Sequence, residues 1–496
     1  MYGIIFNGYD PQGIPDASRA GGGYRIATHL RKQGWDIEVV DYLGYWKLED
    51  LITLVEKRHA QHTIKWIGVS STWIFRHPNV QGILAYIKRI YPEIKIIIGG
   101  NTNFNKDVGA DYYVYGFGEY AADAILKYEF SNGKKPYGRP CFKGWAIDAL
   151  HFYPAWPLED YTLEYEERDF LVETDVVALE IGRGCKFKCK YCNFPVLGVK
   201  EDTSMSEEIM YNHFRTLYDR WGVKTYSLSD ETINDRNSKL EKMAGAVQRC
   251  EFKPDFNAFT RLDLFKSHPE QIELMAGARI WGQFYGVETF NHRTGKVIGK
   301  GLHPDKNKEL MLNVRKYMLE HVGVYRGTAS FISGLPHETP EDLKAGHEWL
   351  SANWADEHWM VWVLSIPEEE NFRLSAFGED FSKYGYQRMT EEEIDDYAQR
   401  TGWINDHDRQ GLSMLNQVIW KNEQGNYFTF HQLAERHDTN TGITESRCGN
   451  FEVFSKLSLG VSVEEALKLG TRVDQEYYQT LSNIKVNAYI QKKLAC

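Results

Sequence analysis

Twice along the chain, short apolar runs of strand length alternate with amphipathic stretches of helical length. This rhythm constrains the fold more than any single motif. The first series has runs at Tyr2–Phe6 (YGIIF), Ile37–Val40, Trp66–Val69, Ile94–Ile98 and Tyr112–Val114, with amphipathic segments such as Tyr24–Gln33 and Val80–Ile90 between them. Apolar runs separated by helical segments read as a parallel sheet covered by helices, an α/β doubly wound, Rossmann-like domain. The second series runs through Val176–Glu180, Thr225–Leu228, Asp255–Phe259, Trp281–Val287, Thr328–Ile332 and Trp359–Ile366. Six such units predict a partial (β/α)6 barrel rather than a closed eightfold one, with functional groups gathered at the strand ends.

The expected division follows from these series. Residues 1–135 form the doubly wound domain, 136–174 a linker marked by the turn-rich SNGKKPYGRP, 175–370 the barrel, and 371–496 a mainly helical C-terminal domain. C-terminal aromatics such as Trp403 and His431 are expected to cap the barrel mouth. At 496 residues the chain is too long for one ordinary core. No apolar run approaches the roughly 20 residues that span a bilayer. The N-terminal MYGIIFNGYDPQG lacks the basic start and small-residue cleavage site of a secretory signal and reads as a first buried strand. A net charge of −11 argues against general binding to nucleic acid. Seven cysteines, an odd and modest number, point away from a disulfide scaffold and toward a reducing cytoplasm.

Three of those cysteines lie within the segment IGRGCKFKCKYCNFP, spaced Cys-x3-Cys-x2-Cys at Cys185, Cys189 and Cys192, directly after the strand VVALEIG. Soft thiolates at this spacing suit an iron–sulfur centre or zinc. A closed zinc site needs a fourth ligand, and none lies close in sequence. Three cysteines on a cubane leave one iron open. Buried, inert thiols are the remaining alternative, disfavoured by Lys186, Lys188 and Lys190, which make the loop basic and exposed.

With Tyr191 as the aromatic residue before the last cysteine, the segment resembles the signature of the radical S-adenosylmethionine (SAM) superfamily. The likeness continues in order through residues 175–370. Ser229-Asp230-Glu231 follows the second strand where the family carries Gly-Gly-Glu, Arg261 ends the third strand in FTRLD, GVET at 286–289 is similar to the family's GIES element, and GLPHET at 334–339 to GLPGET. The resemblance implies a [4Fe-4S] cluster on Cys185, Cys189 and Cys192 whose open iron chelates SAM. Reductive cleavage of SAM then yields a 5′-deoxyadenosyl radical. It also implies SAM contacts from Tyr191, Ser229, Asp230, Glu231, Arg261, Glu288, Gly334 and Ile366, and an electron donor such as a flavodoxin or ferredoxin.

A doubly wound domain ahead of such a barrel is similar to the cobalamin-dependent branch of the superfamily. The supporting segments are residues 21–41, IIIGGN at 96–101 and ADYYVYGFGEY at 110–120, the last resembling D-x-V-x-G-E-G-E with Phe117 in place of the first Glu. The implied cobalamin pocket is lined by Gly8, Gln12, Gly13, Ser70, Ser71, Gly99, Gly100 and Gly118, where small residues let backbone approach a bulky ligand. Gln12 stands where other cobalamin domains place a cobalt-ligating histidine. The alternative is a domain that keeps this shape without cobalamin. The reaction implied is methyl transfer to a small, natural-product-like molecule. A radical rearrangement, cyclisation or oxidation, or a non-catalytic metal-binding scaffold, are the alternatives.

Overall fold

The computed structural model describes residues 1–9, 18–72, 74–75, 77–100, 107–154, 163–364, 366–367, 375–388, 390, 392, 417–418, 420–421 and 475–496. Gln12, Gly13, Trp403 and His431 lie outside the described residues. Strands β1 (Tyr2–Phe6), β2 (Asp36–Val40), β3 (Trp66–Ser70), β4 (Lys95–Gly100) and β5 (Tyr112–Tyr115) pair in parallel in the order β2-β1-β3-β4-β5. These runs are apolar on both faces because helices cover both. α1 (Gly21–Lys32) and α4 (Glu119–Phe130) pack Tyr24, Leu30 and Ile125 against Ile5 and Val39 on one side. α2 (Leu48–His62) and α3 (Pro78–Ile90) pack Leu51, Leu54 and Ile83 against Ile4 and Phe6 on the other. The chain direction switches between β1 and β3, so a crevice is expected beyond their carboxyl ends.

The stretch expected to be a linker over 136–174 is corrected in its first part. A hairpin of β6 (Arg139–Cys141) and β7 (Gly144–Asp148) joins the first sheet, with β7 parallel to β5 through Tyr112↔Trp145 and Val114↔Ile147. The glycines and prolines that read as a boundary flank and punctuate this short edge addition.

The second sheet contains β8 (Val176–Leu179), β9 (Thr225–Leu228), β10 (Asp255–Thr260), β11 (Ile280–Glu288), β12 (Arg326–Ser333) and β13 (His358–Val363), parallel and in sequence order. Its helices carry ordinary punctuation. Ser206 caps Glu207–Trp221, with Gly222 closing it, and Thr339 and Asp342 form a capping box on Pro340–Asn353. The last strand is shorter than expected: β13 stops at Val363, and Ile366 lies in a separate pair, antiparallel to Val418. A helix at His292–Ile298, absent from the sequence expectation, follows β11. Among the described residues no helix is long and apolar enough to cross a membrane.

A buried charge network joins the two sheets. Residue 19 forms a parallel bridge with Val177 of β8, and the Arg19 side chain donates to Asp175 at 2.8 Å, to Asp41 at 3.1 Å and to the Asp169 carbonyl at 2.8 Å. The last helix, Gln475–Ala495, closes the joint. Lys485 reaches Asp175 at 2.8 Å, the Asp41 amide donates to the Tyr489 hydroxyl at 2.9 Å, and buried Lys493 pairs with Glu38 at 2.9 Å. Burial opposes the charge on Asp175, but Arg19 and Lys485 outweigh it and hold the carboxyl down at about 2. Asp41 fares differently: burial raises its pKa even with Arg19 and Tyr24 beside it. Arg19→Met should therefore strand Asp41 without a cation. The expected loss is about 3–5 kcal/mol, typical of a broken buried pair, read as a lower thermal midpoint by calorimetry. An unchanged midpoint would show that the network does not support the joint.

Candidate active site

The cysteine loop leaves buried β8 and doubles back on itself. The Cys185 amide donates to the Val196 carbonyl at 2.9 Å, while the Cys185 carbonyl accepts from Gly198 at 2.6 Å and Val199 at 3.1 Å. Gly184 makes this return feasible: its φ is +84°, and a Cβ there would stand 2.6 Å from the Val199 side chain. A second tight turn brings Cys192 N within 3.1 Å of the Cys189 carbonyl. All three thiols then line one cavity of about 180 Å³, together with Glu231, Thr232, Thr260, Arg261, Glu288 and Lys300 from the ends of β9, β10, β11 and the segment beyond. Phe187, Phe194, Phe259 and Phe284 supply apolar walls.

The donor set fits a group that brings positive charge. Burial raises the Cys185 thiol, and burial together with Cys189, Cys185 and Glu288 pushes Cys192 up to about 11. Thiolates gathered here need a cationic centre to form. Among the described residues no three Cys, His, Asp or Glu side chains converge on a single metal ion. The triad instead borders a space larger than one ion, which fits a multi-iron cluster better than zinc.

Opposite the thiols, the Tyr191 hydroxyl donates to Glu288 Oε1 at 2.7 Å, and Lys300 Nζ lies 3.3 Å from the same oxygen. Glu288 holds a left-handed backbone, φ +70°, at a bulge where β11 slips against β12. That strained conformation in a non-glycine residue marks a position shaped by its surroundings. Burial raises Glu231, with Glu180 and Asp230 adding, to about 8. Arg261 is bound to Asp263, to the Gly299 carbonyl at 2.7 Å and to Cys189 Sγ at 3.3 Å.

Of the residues picked from sequence, Cys185, Cys189, Cys192, Tyr191, Glu231, Arg261 and Glu288 share this cavity, whereas Ser229, Asp230, Gly334 and Ile366 do not line it. Ser229 bonds back to the Leu179 carbonyl, tying β9 to β8. Asp230 is buried against the Ile181 amide and Lys239. Gly334 turns the chain at φ +92° and accepts from Tyr386, and Ile366 is fully buried in its own strand pair. Sequence reading missed Thr232, Thr260 and Lys300. The first two adjoin residues already singled out, and the only signal for Lys300 is its place between two glycines. The motifs GVET and GLPHET meet directly, since the Thr289 hydroxyl donates to Glu338 Oε1 at 2.8 Å.

In the first domain, Ser70, Gly99 and Gly100 end β3 and β4 without a bulky side chain, Gly8 lies two residues beyond β1, and Gly118 caps α4. At Gly100, φ +147°, any Cβ would strike Thr72, so the backbone is compact there. The Ser71 hydroxyl donates to the Gly99 carbonyl at 3.0 Å and is taken up in joining β3 to β4. Low, small-residue strand ends fit a broad, flat ligand such as a corrin. This region abuts the cysteine loop through Arg183, whose guanidinium pairs with Glu119 and Glu180 and covers the Phe117 ring at 4.1 Å. Arg25 of α1 reaches Glu180 at 2.9 Å.

Comparison with known proteins agrees with this geometry. Residues 179–350 match the Radical SAM superfamily and residues 24–126 match the B12 binding domain. No curated protein matches the chain. Among solved structures, the chain is similar to the radical S-adenosylmethionine methyltransferase TsrM from Kitasatospora setae, solved with tryptophan substrate and a SAM analog. The TM-score is 0.62 at 14% identity over 98% of this chain and 99% of that one. It is also similar to OxsB, a cobalamin-dependent S-adenosylmethionine radical enzyme solved with aqua-cobalamin and S-adenosylmethionine, with TM-score 0.58 and 13% identity over 98% of this chain and 72% of that one. At these identities the likeness establishes the fold.

Burial of Glu338 raises its carboxyl from 4.5 to about 8, so the folded protein favours the neutral form. Its contribution to stability is full below 4.5 and is lost as pH rises through 8. Glu338→Gln should match the native thermal midpoint at pH 4.5 and exceed it at pH 8. An equal difference at both pH values would refute the assignment.

Proposed function

We propose that this chain, whose residues 179–350 match the Radical SAM superfamily and residues 24–126 the B12 binding domain, transfers a methyl group to a small organic substrate. The observation that carries this reading is the junction at Arg183. It sets the strand-end loop of the B12-binding domain against the root of the cysteine loop, so the two cofactor regions adjoin. The likeness in fold to TsrM, itself a methyltransferase, supports the same direction.

When bound, the [4Fe-4S] cluster supplies electrons and a site for SAM, and cobalamin supplies a methyl carrier. Cys185, Cys189 and Cys192 would hold the cluster. Glu231 and Glu288 offer acceptors to amino or hydroxyl groups of SAM, and Tyr191 and Lys300 fix the Glu288 carboxylate in place. Thr232, whose hydroxyl lies 3.6 Å from Cys185 Sγ, steadies the first cysteine. The phenylalanine walls keep water from a site where a reactive carbon species must meet only its substrate. Gly8, Ser70, Gly99, Gly100 and Gly118 would present low strand ends to the corrin, the glycines packing closely on the chain's own Leu43, Val114, Thr72 and Ile26, and Ser71 would hold the neighbouring backbone.

Anaerobic reconstitution should load about four irons and four sulfides per chain, as one [4Fe-4S] cluster requires, with bound corrin visible by its absorbance. Given SAM labelled in its methyl group, accepted substrates should gain the label by mass spectrometry. Cys189→Ala should lose both the cluster and SAM turnover, and turnover unaffected in that variant would overturn the cluster assignment. Release of 5′-deoxyadenosine with no methylated product from any accepted substrate would favour a radical rearrangement or oxidation instead.

A further inference from the structure

Arg261 ends β10 in a position that sequence reading gives to contact with SAM, yet its hydrogen-bonding capacity is spent elsewhere. Nε and Nη2 grip the two Asp263 oxygens at 2.8 and 2.9 Å, and Nη2 also donates to the Gly299 carbonyl at 2.7 Å. Nη1 donates to Cys189 Sγ at 3.3 Å. Four of the five N–H groups of a guanidinium are thus engaged. The plane is fixed from below by the Phe187 ring, 3.9 Å from its central carbon, and the residue is only 6% exposed. The cation is therefore held on one sulfur by partners that belong to the chain itself.

We infer that Arg261 is a positioning residue that acts on the cluster through Cys189, setting the cluster's reduction potential. This rests on the reading of the triad as ligands to a [4Fe-4S] centre. Adding one electron to such a cluster adds one negative charge, shared with its thiolate sulfurs. A fixed guanidinium hydrogen bond stabilises that extra charge more than the oxidised state, so it raises the potential. Burial keeps water and salt from screening the effect. The rigid Asp263 fork distinguishes this role from that of a mobile lysine, whose point charge lacks the planar geometry.

The test is a redox titration of anaerobically reconstituted full-length protein without SAM, followed by electron paramagnetic resonance of the reduced cluster. Arg261→Met should load iron as the native chain does and titrate at a more negative midpoint. Arg261→Lys, which retains the charge but loses the fork, should fall between the two. If Arg261→Met fails to fold, the native–Lys comparison decides the matter. Midpoints equal to native in every variant that carries a full cluster would overturn the inference while leaving the cluster assignment intact. Absence of a cluster from the native protein would instead overturn the reading on which it rests.

Discussion

The buried contact between Arg19 and its two aspartates is the constraint on which the arrangement of the molecule depends. A guanidinium with 1% exposure draws Asp41 from the end of the first domain's β2 and Asp175 from the threshold of β8 onto one charge. Each carboxylate alone would be costly in that interior. Shared, they make the relative placement of the two sheets a matter of electrostatic necessity. The bridge between residue 19 and Val177 adds backbone hydrogen bonds to the same point, and one hydrophobic core runs from Ile5 and Tyr24 into Val177 and Tyr226. The cysteine loop begins a few residues beyond that joint. Its approach to the strand ends of the first domain is inherited from the way the sheets are fastened.

Most strands were legible because both sheets are parallel and covered on both faces, so their sequences are plain apolar runs. The triad was legible from its spacing, and Tyr191 and Glu288 from the likeness of their segments to radical SAM motifs. What escaped was information that lies in side-chain direction and in distant pairing. Asp230 and Glu231 are adjacent in sequence, but one turns into the Lys239 pocket and the other into the cavity. Nothing local distinguishes them. The β6–β7 hairpin reads as linker because an edge addition needs only a few residues and is defined by its partner β5. Lys300 enters the site from beyond a helix whose existence the sequence pattern did not announce.

The departures from the family's motifs also acquire physical meaning. Phe117, standing in place of a glutamate, lies under the Arg183 guanidinium, which also pairs with Glu119. Asp230, in place of a glycine, binds the Ile181 amide at 2.9 Å and so braces the turn leading to the cysteines. Both residues contact the root of the loop, and neither lines the cavity.

The last helix has a consequence for how the protein is made. Val486, Tyr489 and Ile490 complete the core on the α2–α3 face of the first sheet, and Lys493 joins Arg58 on the Glu38 carboxylate deep within it. Tyr489 meets Asp41 across 448 positions of chain. On the ribosome, the doubly wound domain therefore emerges before the barrel and waits through its synthesis with part of an apolar face uncovered. Such a domain cannot reach its final packing as an independent early unit. Its packing is completed by a helix that follows the barrel in the chain.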